Sequence, residues 1–246
     1  MSQFFVIGDT HGSIELKKLS HKNFRLGHKE LYYTDIVCIL GDAGFMWDNS
    51  KETRYWDDWA EELGFTIIAI KGNHENYNAI NQLPIEKFYG ANVRRVRPHI
   101  MYVENGEILH YNNMTFLCMG GAASHDKWLR KENIDWWPQE IPSRDEMLNC
   151  VNNVEKVNFK VDYILSHCAP NLIHETYFGY ERNELTTFHD NYINNYVTRN
   201  AWFFAHYHQD KVFTNNYICS YNHFWELFPD CAYNHNTERR IKYVNE

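Results

Sequence analysis

Five short motifs in the sequence carry side chains that bind metal ions. They contribute seven carboxylate, carboxamide and imidazole groups, which are Asp9, His11, Asp42, Asn73, His167, His206 and His208. Oxygen and imidazole ligands of this kind suit ions such as Mn²⁺, Fe and Zn²⁺. The set is larger than one ion needs. It therefore predicts two divalent ions that share a bridging carboxylate, with Mn²⁺ as the first choice and Fe or Zn²⁺ as alternatives.

Each motif taken alone has an ordinary structural explanation. Asp9-Thr10-His11 is typical of a turn or a helix cap, and His206-x-His208 is more often structural than ligating. The joint occurrence favours chemistry instead, because every motif directly follows an apolar run. Glycines beside the motifs allow sharp turns that aim side chains toward a common centre.

The elements that must position these groups are predicted strands. Short apolar runs predict them at residues 4–7, 36–40, 66–70, 162–165 and 202–205. The carboxyl ends of strands in an α/β sheet form one rim, where ligand sites gather. Helices are expected between the early strands, at 14–20, 51–63 and from about Glu75. This alternation predicts a sheet covered by helices.

The rest of the chain predicts further strands, two hairpins and a long loop. Strands are expected at 100–103, 107–111, 114–119, 211–214 and 217–220, and helices at 143–157 and 184–198. The pairs Asn112-Asn113 and Asn215-Asn216 predict hairpin turns. The polar residues after Pro229 predict a loosely ordered tail over 229–246. No linker or repeat interrupts the chain, so we expect a single domain over 1–246.

Composition excludes several classes of protein. The chain has 246 residues and a formal net charge of −8, which argues against a general nucleic-acid coat. An anionic substrate stays open, because bound divalent ions would reverse the local field. The six cysteines form no CxxC pair and predict buried, reduced thiols of a cytoplasmic protein. We expect no signal peptide, no transmembrane helix and no membrane partner.

The ordered set of motifs resembles the calcineurin-like metallophosphoesterase superfamily. Its pattern is D-x-H, G-D, G-N-H-[DE], H and G-H-x-H. The matching stretches here are Asp9-Thr10-His11, Gly41-Asp42, Gly72-Asn73-His74-Glu75, His167 and Ala205-His206-Tyr207-His208. Ala205 replaces the usual glycine. The resemblance implies a four-layer α/β/β/α sandwich of two mixed sheets flanked by helices.

The resemblance also implies roles for the site residues. One ion is expected on Asp9, His11 and His208, and the other on Asn73, His167 and His206. Asp42 is expected to bridge the two ions. His74 is expected to contact the substrate phosphate and to assist the leaving oxygen, so His74 and Asp42 are the expected catalytic pair.

The chain departs from the Ser/Thr protein phosphatase branch of that superfamily. The branch has a G-D-x-x-D-R-G stretch, whereas residues 41–47 here are GDAGFMW. The second aspartate is absent, and so is the arginine that helps to hold the phosphate. Arg130 is our candidate replacement, because arginine binds phosphate in a bidentate manner.

Substrate choice is expected to depend on residues 119–144. Gly120-Gly121 permit close backbone approach, and the basic side chains Lys127, Arg130, Lys131 and Arg144 could contact phosphate. Trp128, Trp136 and Trp137 could stack on a base or an aromatic group. The alternative is that the tryptophans pack within the loop and the charges are solvated.

These features predict a metal-dependent phosphoester hydrolase. In the expected mechanism a hydroxide held between two ions attacks phosphorus and His74 protonates the leaving oxygen. The first choice is a phosphomonoesterase acting on a phosphoprotein or a small phosphate ester. The alternative is a phosphodiesterase for which a nucleotide or nucleic acid is the substrate. A non-catalytic scaffold of the same fold is a minor alternative, since the ligands and His74 are all present.

Overall fold

Alternating apolar residues build two sheets that share a core. We describe residues 2–23 and 30–243 in a computed structural model. In chain order the strands are β1 (Phe4–Ile7), β2 (Ile36–Ile39), β3 (Thr66–Ala69), β4 (Ile85–Phe88), β5 (Ala91–Arg97), β6 (Ile100–Val103), β7 (Glu107–Tyr111), β8 (Met114–Met119), β9 (Tyr163–Ser166), β10 (Ala201–Phe204), β11 (Lys211–Val212), β12 (Tyr217–Cys219), β13 (Trp225–Phe228), β14 (Cys231–Asn234) and β15 (Arg239–Lys242).

The α-helices found between these strands are mostly short. They are α1 (Lys51–Glu61), α2 (Tyr77–Ile80), α3 (Arg144–Lys156), α4 (Asn171–Phe178) and α5 (Glu184–Phe188). The two longest, α1 and α3, begin at serine caps that accept a backbone N–H. Ser143 and Glu146 form the capping box that the sequence predicts at the start of α3.

Within the described residues the strands form a nine-stranded and a six-stranded sheet. The first has the order β15-β14-β13-β1-β2-β3-β6-β5-β4, and the second the order β11-β12-β10-β9-β8-β7. Both are mixed. The strands β1, β2, β3 and β6 run parallel at the centre of the first sheet, and β8, β9, β10 and β12 do so in the second.

The period of two along each strand produces the layers. Phe4 and Val6 of β1 face the core between the two sheets, where the Phe4 ring stacks on Phe116 of β8 with 4.1 Å between ring centroids. Phe5 and Ile7 face the opposite way, toward α1. The outer face of the second sheet packs against α3, α4 and α5. This is the predicted four-layer α/β/β/α sandwich.

Several elements differ from the sequence-based expectation. The predicted helix over 14–20 is two 3₁₀ turns, Gly12–Ile14 and Leu16–Leu19, because Glu15 at φ −133° interrupts helical geometry. The predicted helix over 184–198 is α5 followed by a π-helix over His189–Asn194. Strands β4, β5 and β13 and helix α4 were not predicted.

The expectation of a loosely ordered tail over 229–246 is wrong for the described part of it. β14 pairs with β13 and β15 pairs with β14, so the tail extends the first sheet. Ala232, Ile241 and Tyr243 pack against the core between the sheets. The sequence did not predict this, because most of the other residues in the segment are polar. Residues 244–246 lie outside the described range.

The sequence also predicts buried, reduced cysteines and no transmembrane helix. All six cysteines are buried free thiols. No helix in the described residues is long and apolar enough to cross a membrane.

The buried His189 makes a testable contribution to acid sensitivity. It lies in the π-helix against Trp202, with 5.2 Å between ring centroids, and burial lowers its pKa to about 3. An unfolded histidine titrates near pH 6.5. The stability that the neutral ring allows is therefore fully present above about pH 6.5. It falls as the pH drops toward 3, by up to about 1.4 kcal/mol per pH unit.

We predict that metal-free His189→Phe protein loses less free energy of unfolding than wild type between about pH 6.5 and 4.5. Urea unfolding at each pH measures the difference, and the other titrating groups are common to both proteins. Parallel pH dependences would contradict the assignment.

Candidate metal centre

The structure brings all seven predicted ligand residues to the carboxyl-end rims of both sheets. Asp9, His11 and His208 place ligand atoms within 4.8 Å of one another, and so do Asp9, Asp42 and His167. The two groups share Asp9. The parallel register explains the convergence, since Ile7 pairs with Ile39 and Leu165 with Phe203, so that equivalent strand ends lie side by side.

Asp42 faces one histidine from each of the two predicted ligand sets, which are Asp9, His11 and His208 in one and Asn73, His167 and His206 in the other. Its Oδ2 is 3.4 Å from Nε2 of His11, and its Oδ1 is 3.3 Å from Nε2 of His167. The Asn73 carboxamide oxygen is 3.0 Å from the same His167 nitrogen. The rings of His167 and His206 are 5.0 Å apart. One carboxylate thus faces a histidine of each set.

The chemistry of the site fits divalent cations. Both carboxylate oxygens of Asp9 are buried, and neither has a hydrogen-bond donor within the part of the chain that the structure describes. Nε2 of His206 is likewise buried without such a partner. Burial raises the pKa of Asp9 and holds that of His206 well below its usual value, so the imidazole stays neutral. Carboxylate oxygens without a hydrogen-bond donor, close to a neutral imidazole nitrogen, are suitable ligands for a metal.

His167 shows how the two sheets jointly prepare one ligand. Its Nδ1 donates to the carbonyl of Leu40 at 2.7 Å, which leaves Nε2 facing the side-chain oxygens of Asp42 and Asn73. A backbone partner of this kind fixes the tautomer of a metal-binding histidine. Burial opposes a charge on the ring, yet Asp42 and Asp9 raise the pKa of His167 to about 9. The negative charges of the two carboxylates therefore stabilise a positive charge at the position of His167.

Four of the seven ligand residues have left-handed backbone. The φ angles are +45° at His11, +50° at Asp42, +67° at His206 and +50° at His208. This region is costly for residues with a side chain, and such strain collects at functional sites. The strained backbone at these four residues turns their side chains toward the centre of the site.

The segment that carries Asp42 is held from several sides. Its carbonyl accepts from the N–H of His11 at 2.7 Å, and its Oδ1 accepts from the N–H of His74, also at 2.7 Å. The buried Glu75 carboxylate accepts from the N–H of Ala43 at 2.9 Å and from the Tyr102 hydroxyl at 2.6 Å. Glu75, the last residue of the G-N-H-E motif, therefore positions the Asp42 segment.

Asn73 is oriented by a chain of contacts that the sequence analysis missed. Its Nδ2 donates to Oγ of Ser124 at 3.1 Å, and that hydroxyl donates to Glu140 at 2.5 Å. Glu140 also accepts from the Ser124 N–H at 2.9 Å. Because the amide nitrogen is engaged, the Asn73 oxygen is turned toward His167. Nothing in the local sequence marks Ser124 or Glu140, since their role depends on the path of the 119–144 loop.

His74 and Arg130 line one cavity beside the cluster, together with His11. The rings of His11 and His74 are 5.7 Å apart. The guanidinium of Arg130 forms a bidentate pair with Asp126, in which both distances are 2.7 Å. The aspartate limits the freedom of Arg130 but leaves other guanidinium N–H groups for a ligand.

The tryptophans of the 119–144 loop divide between core and surface. Trp137 is buried and packs edge-on against Trp47, with 5.4 Å between ring centroids. It therefore packs inside the protein, although its partner lies outside the loop in which packing was the alternative. Trp128 is 78% exposed.

The sandwich fold and the rim of Asp, Asn and His side chains together form a candidate metal-binding site. The family model of the calcineurin-like phosphoesterases matches residues 2–210, and the chain belongs to that family. No curated protein sequence matches the chain. Twenty chains of solved structures do match it. One of these has a TM-score of 0.49 and 9% identity, with 98% of this chain and 99% of that chain covered, which adds nothing to the family assignment.

Gly72 offers a steric test of the Asp42 position. A Cβ at this residue would lie 2.1 Å from Oδ1 of Asp42 and 2.3 Å from its backbone nitrogen. We predict that Gly72→Ala weakens metal binding at least tenfold, because the carboxylate must move. Isothermal titration of metal-stripped protein with Mn²⁺ measures it. Gly179→Ala is the control for backbone strain alone, since Gly179 has a φ of +71° but a Cβ there meets nothing within 4 Å. Unchanged affinity in Gly72→Ala would refute the prediction.

Ser124 offers a test of the support behind Asn73. We predict that Ser124→Ala lowers the affinity for one Mn²⁺ about tenfold or more, as is usual when the partner of a ligand is removed. The control Ser143→Ala loses the cap of α3 and some stability but keeps its metal affinity. Equal metal affinities in the two variants would show that Ser124 does not position Asn73.

Proposed function

We propose that this protein is a phosphomonoesterase with a dinuclear metal centre, and that Mn²⁺ is its ion. The observation that carries the proposal is the position of Asp42, which faces one histidine from each ligand set directly beside an open cavity that contains His74. Asp9, His11 and His208 would hold one ion, and Asn73, His167 and His206 the other. Asp42 would contact both.

Two bound ions would supply a nucleophilic water at neutral pH and would neutralise charge on the phosphoryl group. The residues of the chain do the rest. Arg130 and His74 hold the phosphate from the cavity side. As a bond from water oxygen to phosphorus forms and the bond from phosphorus to the ester oxygen breaks, His74 donates a proton to that oxygen. The proton that the attacking water releases returns His74 to its protonated form. The products are inorganic phosphate and an alcohol.

The cellular location belongs to the same proposal. Six buried free thiols are typical of a reducing compartment. We place the enzyme in the cytoplasm, with a phosphoprotein or a small phosphate ester as its substrate.

The first test uses metal-stripped protein refilled with Mn²⁺ and assayed on 4-nitrophenyl phosphate and bis(4-nitrophenyl) phosphate. We expect hydrolysis that requires metal and prefers the monoester, and we expect Asp42→Asn to lose both metal and activity. A preference for the diester would favour the phosphodiesterase alternative. Inactivity of the metal-loaded protein on a broad panel of phosphoesters would favour the scaffold.

The second test concerns His74. We predict that His74→Asn lowers kcat for an alkyl phosphate by about 10²–10⁴-fold while the protein still binds two ions. The loss on 4-nitrophenyl phosphate should be much smaller, because nitrophenolate leaves without a proton. Equal losses on both esters would contradict a role as general acid, and would assign His74 to phosphate binding alone.

A further inference from the structure

The cavity beside the metal centre extends well past the place of the phosphate. It has a volume of about 450 Å³, and it runs from His11 and His74 to the first turns of α1. We name this whole space the α1 cavity. Its volume falls in the range of small-molecule sites. A phosphoryl group held at the ions would direct its ester oxygen, and the alcohol attached to it, into such a space.

Aromatic side chains form much of the wall of the α1 cavity. Phe45 and Trp47 come from the segment after Asp42, and Trp56 comes from α1. Their positions are fixed by packing. Trp47 is held edge-on by the buried Trp137, and Trp56 packs edge-on against Trp59 at 5.4 Å. Aromatic side chains that packing already holds in place favour a flat apolar ligand, because they lose little conformational entropy when the ligand stacks on them.

The charged groups on the wall are mostly acidic. Asp48, Glu52 and Asp57 line the cavity, and among the described residues that line it the only arginine or lysine is Arg130. The Thr53 hydroxyl and Ser50 lower the pKa of Asp48 by donating hydrogen bonds to it. Asp57 lies 3.7 Å from Arg97 and is partly neutralised. A second phosphate on the ligand would lie close to these carboxylates, and the like charges would repel each other.

We propose that the α1 cavity binds the leaving alcohol of the substrate and selects alcohols with a flat apolar group and no second anionic group. This inference rests on the proposed function, because it assumes that a phosphate ester is held at the metal centre. It narrows the substrate class to monoesters of aromatic-bearing alcohols. It also disfavours polyphosphates and nucleic-acid chains.

The experiment compares three esters whose leaving groups are primary alcohols of similar reactivity. They are ethyl phosphate, 2-phenylethyl phosphate and 2-(4-carboxyphenyl)ethyl phosphate. We expect kcat/KM for the phenylethyl ester to exceed that of the ethyl ester about tenfold, mainly through KM. The carboxylated ester should lose most of that gain. Glu52→Gln should return part of it, because one of the opposing charges is removed.

Two variants of Trp56 test the aromatic wall itself. Trp56→Ala should bring the ratio of phenylethyl to ethyl kcat/KM close to one, and Trp56→Phe should keep an intermediate ratio. Tyr196→Ala is the matched control, since it removes a 61% exposed aromatic side chain outside the cavity and should keep the wild-type ratio. Thermal unfolding of each variant identifies any that fail to fold, and Trp56→Phe serves if Trp56→Ala is among them.

A binding measurement separates this inference from the proposed function. Saturation-transfer NMR with 2-phenylethanol and metal-free protein should show binding that weakens in the Trp56 variants. If the alcohol binds in this way and no ester is hydrolysed, the cavity assignment holds and the proposed function fails. If all three esters are hydrolysed at equal kcat/KM and the alcohol does not bind, the proposed function holds and the α1 cavity inference is overturned.

Discussion

The burial of Asp9 and Asp42 at one point is the constraint on which this structure depends. Both carboxylates lie in the seam between the two sheets, where an unpaired charge costs several kcal/mol. Asp42 is partly compensated by His11, His167 and the N–H of His74. The two carboxylate oxygens of Asp9 receive no hydrogen bond from the described residues. Such an arrangement is stable only if positive charge is brought to it, and that requirement explains the ring of imidazoles.

The architecture follows from the need to deliver ligands from two sheets to that point. Parallel strands β1, β2 and β3 end in register, so the motifs behind them arrive side by side. The second sheet contributes His167 and His206 from the ends of β9 and β10. The bond from His167 to the Leu40 carbonyl ties the two rims together. The core between the sheets thus fixes the relative position of ligands that are distant in the sequence.

The sequence predicted those parts of the site that depend on local pattern. A short apolar run followed by a glycine and a ligand identifies a strand end, and β1 has the predicted bounds. The supports behind the ligands were not predictable, because Glu140 reaches Asn73 only through the folded path of its loop. The prediction of a loosely ordered tail was wrong for a related reason. Polar residues on one face of β14 and β15 conceal the few apolar side chains that pack on the core.

The contacts around Arg94 are a second set of supports that the sequence did not predict. Arg94 pairs with Glu104 at 2.8 Å, and Glu104 also binds Lys71. Lys71 directly precedes the G-N-H-E motif, and its carbonyl accepts from the N–H of Gly121 at the start of the 119–144 loop. The loop is therefore joined to the metal-binding motif through backbone as well as through Ser124. Residues expected to choose the substrate and residues expected to hold the metal form one connected structure. A change of substrate preference through this loop will consequently alter metal affinity unless Ser124 and Glu140 are kept.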